Sequence, residues 1–216
     1  MRRADLPGLI LLGAVRGPAT EEPAVLAELD LSRPKTIVLD LSPEELKGLQ
    51  EYFVDPRAEP LVPLTQAETA LARALSDFTE VRMPAPAFVG AVRWAEARGA
   101  EVLPIDQSDE SFADLFVKHV GYVDLLRRSR AERALSKGKY GKPGSSEEMA
   151  IAWAGRLHSR GGSLRLWNER CRIAAARLRE ITQGDHPKPI ACVLDVERWQ
   201  QIVQMLSVAG SAPSAI

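Results

Sequence analysis

The sequence predicts an α/β fold: a mainly parallel sheet with helices on both faces and a helical insertion late in the chain. Two short, continuous apolar runs, residues 9–12 and 36–39, flank a helix-forming stretch within about thirty residues. The step from an amphipathic helix through a stop signal to another short apolar run recurs at 87–105 and at 164–194, while residues 109–183 carry only helical periodicity. Short runs that are apolar throughout suit strands covered on both faces by crossover helices.

Leu9, Ile10, Leu11 and Leu12 open the first βαβ unit, and residues 23–29 supply its crossover helix, with Thr20 as the expected N-cap and Arg33-Pro34 at the exit. Ligands of open α/β sheets lie beyond the carboxyl ends of the strands, so Gly13, Ala14, Val15 and Arg16 after the first run, and Asp40 after the second, stand where a site is expected. Ser42, Pro43 and Glu45 spell a helix start, with the serine as cap and the glutamate three residues on. Pro56, Pro60 and Pro63 break the chain before an apolar helix over residues 64–78.

Ala87, Phe88, Ala91, Val92 and Ala95 repeat at helical spacing up to a stop at Gly99, and the strand 101–105 follows with Asp106 just beyond its end. Residues 111–135 read as helix broken near Gly121, with Phe112, Leu115, Phe116, His119, Val123 and Leu126 on the apolar side. Arg127, Arg128, Arg130 and Arg133 at its end suit a solvated terminus or, with Lys137, Lys139 and Lys142, an anion-binding patch. Ser145 or Ser146 caps the next helix, residues 163–183 carry the clearest stripe up to Gly184, and a strand at 190–194 leads into a terminal helix, Val196–Ala209. The expected organisation is one domain over 1–209, with the insertion at about 109–183, and a short tail at 210–216.

A net charge of −1 gives no general field for polyanions, so no nucleic-acid partner is expected. No stretch approaches the ~20 apolar residues of a membrane-crossing helix, and Arg2 and Arg3 precede no cleavage signal, which makes a cytoplasmic chain with no membrane partner the expectation. Cys171 and Cys192 lack metal-ligand spacing and are expected as buried thiols. His119, His158 and His186 also lack ligand spacing, no Gly-x-Ser-x-Gly elbow is present, and the Gly13–Gly17 turn matches neither a dinucleotide fingerprint nor a phosphate loop. Ser42, Ser108 and Ser111 are explained by capping, and Trp94, Trp153, Trp167 and Trp199 by packing between layers.

The opening strand with Gly13, then RPKTIVLDLS, AEARGAEVLPID, NERCRIAAARLREI and PIACVLDVERWQQIVQML, taken in this order, resemble the TraB/PrgY family, which is related more distantly to the Tiki proteins and erythromycin-esterase-like hydrolases. The resemblance implies a TraB/Tiki-like fold over nearly the whole chain and a hydrolase-like site, metal-dependent in the Tiki branch. That site is built from a Gly-x-x-His turn after the first strand, an acid after the next, a Glu-Arg pair on the late helix and a second Gly-x-x-His after the last strand. By position these fall on Gly13 to Arg16, on Asp40, on Glu169 and Arg170, and on Asp195 to Arg198, so arginine replaces histidine twice. A guanidinium stays protonated and offers no lone pair to a metal or to a proton.

Three readings follow. In the first, a degenerate, non-catalytic pocket uses Gly13, Arg16, Asp40, Asp106, Glu169, Arg170, Asp195 and Arg198 to hold an anionic small molecule, a peptide terminus or a protein partner, or the same charges form only an ion-pair scaffold. In the second, hydrolase ancestry persists, with Asp40, Asp106 and Glu169 as the catalytic candidates: Asp40, Asp106, Asp195 and Glu197 or Glu169 hold a divalent metal such as Mg²⁺ or Mn²⁺, although no cofactor is required by the residues. In the third, the apolar terminal helix makes a structural homodimer.

Overall fold

The computed structural model describes residues 1–54 and 66–209. The tail expected at 210–216 and the first part of the helix expected at 64–78 lie outside the described residues. Among the described residues five strands form one mixed, mostly parallel sheet: β1 (Arg2–Leu6), β2 (Leu9–Ala14), β3 (Thr36–Leu39), β4 (Glu101–Pro104) and β5 (Ile190–Asp195), in the order β1-β2-β5-β3-β4. Only β1 is antiparallel; it pairs with β2 through a hairpin turned by Gly8 at φ 74°. Its alternating Arg2, Ala4 and Leu6 pattern is short and half-polar, so a period-2 signal there is easily missed.

The first βαβ unit is β2, α1 (Glu21–Ser32) and β3, yet these two strands are not neighbours. The last strand, β5, inserts between them and pairs in parallel with both. All of β5 from Ile190 to Leu194 is buried, and a strand apolar on both faces belongs at the centre of a covered sheet.

The faces follow from alternation. Leu12, Ala14, Ile37, Leu39, Ala191 and Val193 point to one side, where α1, α2 (Pro43–Val54) and α4 (Pro86–Arg98) pack. Leu9, Leu11, Val38, Ile190, Cys192 and Leu194 point to the other, under α8 (Gly161–Gln183) and α9 (Val196–Ala209). Ile202, Val203, Met205 and Leu206 of α9 lie in this second core, so the apolar stripe expected as a dimer surface is turned onto its own sheet. A third cluster, from α3 (Gln66–Ser76), α6 (Tyr122–Ser136) and α7 (Ser146–Leu157), closes over Val15 and Val196 at the carboxyl edge of the sheet.

Start and stop signals act as their chemistry dictates. Ser42 Oγ accepts from the Glu45 amide at 3.0 Å while Glu45 accepts from the Ser42 amide at 2.8 Å. Ser145 caps α7 by accepting from Glu148, and Gly99 ends α4 at φ 64°. Thr20 precedes α1 without a side-chain cap bond. The helical stretch expected at 111–135 is two helices, α5 (Asp109–His119) and α6, broken at Gly121, whose amide is accepted by Asp124.

The apolar side expected there is a different matter: α5 buries no residue fully, and Val117, Tyr122, Val123, Leu125 and Leu126 are exposed. These helices cross the edge of the domain rather than pack along the sheet, so periodicity overstated their burial. Both cysteines are buried free thiols. No helix among the described residues is long and apolar enough to cross a membrane.

Candidate functional site at the carboxyl edge of the sheet

Parallel strands deliver their carboxyl ends to one edge. There Arg16 leaves β2, Asp40 leaves β3, Asp106 follows β4, and Asp195 to Arg198 form the β5–α9 junction. Side-chain alternation sorts them. Asp40 continues the parity of Val38 and faces the α8–α9 layer, whereas Arg16 and Asp195 continue that of Ala14 and Val193, toward α2.

Arg198 is 3% exposed and Asp40 fully buried. Arg198 Nη1 donates to Asp40 at 2.6 Å and to Asp106 at 3.2 Å, and Nη2 donates to the Arg170 carbonyl at 3.1 Å. Arg16 donates to Asp195 at 2.7 Å, to Glu45 at 3.1 Å and to the Asp40 carbonyl at 2.7 Å. Arg170 pairs with Asp106. Asp40 also accepts from the Asp195 amide at 3.2 Å, which ties the ends of β3 and β5 together.

The field divides the acids. Burial pushes Asp40 up to about 6, with Asp195 and Asp106 adding to it and Arg198 and Arg16 opposing. Burial likewise raises Asp195 against the pull of Arg16. Burial also works to raise Asp106, but Arg198 and Arg170 outweigh it and hold this acid below the usual range. Glu197, half-buried on the first turn of α9, is pushed up to about 8 by burial and by Asp195, so it keeps its proton at neutrality.

Above this floor lies a cavity of about 440 Å³ lined by Arg16, Asp106, Asp195, Glu197 and Arg198, with Leu71 and Leu75 of α3, Trp153 and Leu157 of α7, and Phe112, His158 and Trp167 at one end. Arg128 and Arg170 line the same end. His158 stacks on Trp167 with ring centroids 4.3 Å apart, and burial together with Arg128 and Arg170 lowers its pKa to about 4, leaving it neutral. A larger cavity of about 560 Å³ between α3 and the end of α6 is lined mainly by Thr69, Ala70, Arg73, Asp77, Ser136 and Tyr140. It lies away from the strand ends, where the charges converge, and the smaller cavity is the better candidate on chemical grounds.

Five of the expected site residues line this cavity: Arg16, Asp106, Arg170, Asp195 and Arg198. Asp40 lies beneath it, bonded to Arg198. Gly13 and Glu169 serve other ends. A Cβ on Gly13 would stand 2.7 Å from Trp199 Cδ1, so the close approach that this glycine permits is that of α9. Glu169 pairs with Arg172 three residues on, at 2.7 Å, on the outer side of α8. Arg16 and Arg198, expected to meet an anion, are already engaged by carboxylates.

Donors are nevertheless left over: Arg198 Nε is itself buried without a hydrogen-bond partner. Arg170 Nε and His158 Nδ1 are buried without a hydrogen-bond partner, and Arg128 bonds Glu132 through Nε at 2.9 Å, which leaves the outer end of its guanidinium. The run of arginines on α6 signalled Arg128, but nothing in one dimension joined it to His158, Trp167 and Phe112.

Asp40, Asp106 and Asp195 each hold a guanidinium, and Glu197 holds a proton, so coordination would require displacing all of these. Among the described residues no three His, Cys, Asp or Glu side chains group as metal ligands, and His119, His158 and His186 do not converge; His186 instead meets Glu101 at 2.9 Å. Neither a protein-family model nor a curated protein matches the chain.

Proposed function

We propose that the chain is a TraB/PrgY-like domain whose altered site binds a small anionic molecule, or the carboxyl terminus of a peptide, without turning it over. The order of segments and the positions of Arg16, Asp40, Arg170 and Arg198 support the family reading. One observation carries the binding reading: Arg170 Nε is buried without a hydrogen-bond partner, and Arg170 lines a cavity together with Arg128, His158, Phe112 and Trp167. A buried guanidinium donor without an acceptor is costly, and an anion is the acceptor that two guanidiniums favour. The walls of Leu71, Leu75, Trp153 and Leu157 suit an apolar body attached to that anion.

Absence of turnover follows from the residues at the two histidine positions. Arg16 and Arg198 cannot take up a proton, and the neutral His158 is too weak a base near pH 7 to replace them. The hydrolase alternative has one observation in its favour: Glu197 is protonated at neutrality inside the cavity, as a general acid requires. Ester or amide hydrolysis lost in Glu197→Gln would establish it.

The binding reading is tested by thermal shift with inorganic phosphate and simple carboxylates on the wild type, Arg170→Met and Arg128→Met. A ligand at about a hundred times its Kd adds about 2.7 kcal/mol, or about 5–10 °C at this chain length. Both variants should lose most of the shift. Phosphate or carboxylate shifts unchanged in both variants, or absent in the wild type, would overturn the assignment.

A further inference from the structure

Two unlike sets of side chains line the cavity. One is Arg128, Arg170 and His158 with Trp167 and Phe112, with guanidinium donors to spare. The same lining includes Glu197, whose carboxyl receives no hydrogen bond among the described residues.

The groups around Glu197 do not satisfy it. Asp195 at the end of β5 and Asp40 after β3 repel its charge. Arg16, from the β2–α1 turn, is taken up by Asp195 and Glu45, and Arg198 bonds Asp40 and Asp106 through Nη1, with its Nε left unpartnered and not bonded to Glu197. Glu68 on α3 lines the space with a contact of its own, as does Glu45 on α2. Of the other elements packed against α9, α7 turns Trp153, Ala154 and Leu157 to the cavity while its Glu147 pairs with Arg2 of β1 at 2.7 Å, and α8 contributes Arg170. The guanidinium cluster therefore has a donor without an acceptor, and Glu197 has no cation bonded to its carboxyl, with the apolar side chains of Leu71, Leu75, Trp153 and Leu157 also lining the cavity.

We infer that the cavity takes an amphipathic zwitterion, its carboxylate or phosphate held by Arg128 and Arg170 and its ammonium group held by Glu197. The inference rests on the anion-binding reading above and specifies the ligand class. It has a proton count attached. Burial keeps Glu197 protonated up to about 8, and an ammonium brought against it favours the ionised form, so binding must release a proton. At pH 7 a group of that pKa is about nine-tenths protonated, which sets the release at about nine-tenths of a proton per ligand. A neutral Glu197 donating to a ligand hydroxyl would release none.

The probes are ε-aminocaproate and its chain-length homologues, compared with caproate and with the matching alkyl amine. Isothermal titration calorimetry on the whole chain, in buffers of different ionisation enthalpy, reads affinity and proton release together. The zwitterion of best length should bind about tenfold or more tighter than its des-amino partner at pH 9, release close to one proton at pH 7, and gain about tenfold in affinity between pH 7 and 9 as Glu197 ionises. That window lies above the titration of Asp40.

Glu197→Gln should bring the zwitterion down to the affinity of caproate and remove the proton release, while caproate binding persists. Caproate binding as tightly as every zwitterion, with no proton released, overturns this inference and leaves the anion reading standing. Failure of both caproate and the zwitterions to bind overturns both. Binding by the amine alone refutes the two-charge arrangement. The wild-type proton count decides the matter even if the variant does not fold.

Discussion

Arg198→Met tests the charged floor most directly. Among the described residues Arg198 is the only counter-charge bonded to the side chain of Asp40, which is itself fully buried, and it shares Asp106 with Arg170. Methionine fills much of the same volume but leaves Asp40 as an uncompensated carboxylate, and removal of one partner from a buried pair costs about 3–5 kcal/mol. The cost must depend on pH. In the wild type Asp40 titrates at about 6 in the folded chain against 3.8 for the free residue. Without Arg198 its folded pKa rises further, because the largest influence lowering it is gone. A raised folded pKa means stability that is present at low pH and lost as pH rises toward that pKa. Between about pH 6 and the new pKa, the variant's folded state holds a proton that the wild type has released. Its deficit should therefore grow by about 1.4 kcal/mol for each pH unit above about 6. Urea unfolding at pH 5.5, 6.5 and 7.5 measures this, with Asp40→Asn/Arg198→Met as the control that removes both charges and recovers most of the loss at the highest pH. A deficit below about 1 kcal/mol, or one that stays constant with pH, would refute the claim that Arg198 neutralises a buried Asp40.

The same linkage gives Glu197→Gln a signature on stability. The wild-type group has its folded pKa raised from 4.5 to about 8, so its contribution falls through that window and is spent above it; the variant should unfold with a slope against pH shallower by up to about 1.4 kcal/mol per unit between about pH 5 and 8, and parallel slopes would count against the burial of this acid. Gly13→Ala should cost about 1–3 kcal/mol by chemical denaturation, because its Cβ would press on Trp199 Cγ at 2.8 Å, while a neutral result would mean that α9 shifts freely. Glu169→Gln should leave anion binding unchanged within about twofold, since its partner is Arg172 on the outer side of α8; loss of binding would return this residue to the site. Leu178→Ala, at a fully buried α8 position against the sheet, should cost about 2–5 kcal/mol without altering which anions bind.

Much of the framework was legible in one dimension because its causes are local. Apolar runs at residues 9–12, 36–39 and 190–194 are short and unbroken, as strands covered on both faces require, and the Ser42/Glu45 and Gly99 signals depend on neighbours within four residues. The placing of Asp40, Asp106 and Asp195 at one edge also follows from sequence, since parallel strands must end together. Charge arithmetic stopped there. The two arginines that replace histidine were legible as cations, but whether a cation faces a ligand or a carboxylate depends on partners such as Asp40 and Arg198, 158 residues apart. Glu169 and Arg170 are adjacent in sequence, yet α8 turns one outward to Arg172 and the other inward to Asp106, because successive helical residues point about 100° apart.

By itself the sequence determined that this chain builds a covered, mostly parallel sheet with acids and arginines at its carboxyl edge. Only the tertiary structure decided that β5 divides β2 from β3, that Arg16 and Arg198 spend their hydrogen bonds inside the protein, and that Arg128, His158 and Trp167 share a cavity with Glu197. Backbone propensity and hydrophobic period act over a few residues, whereas desolvation and charge pairing act through space, and it is these that set which groups remain unsatisfied.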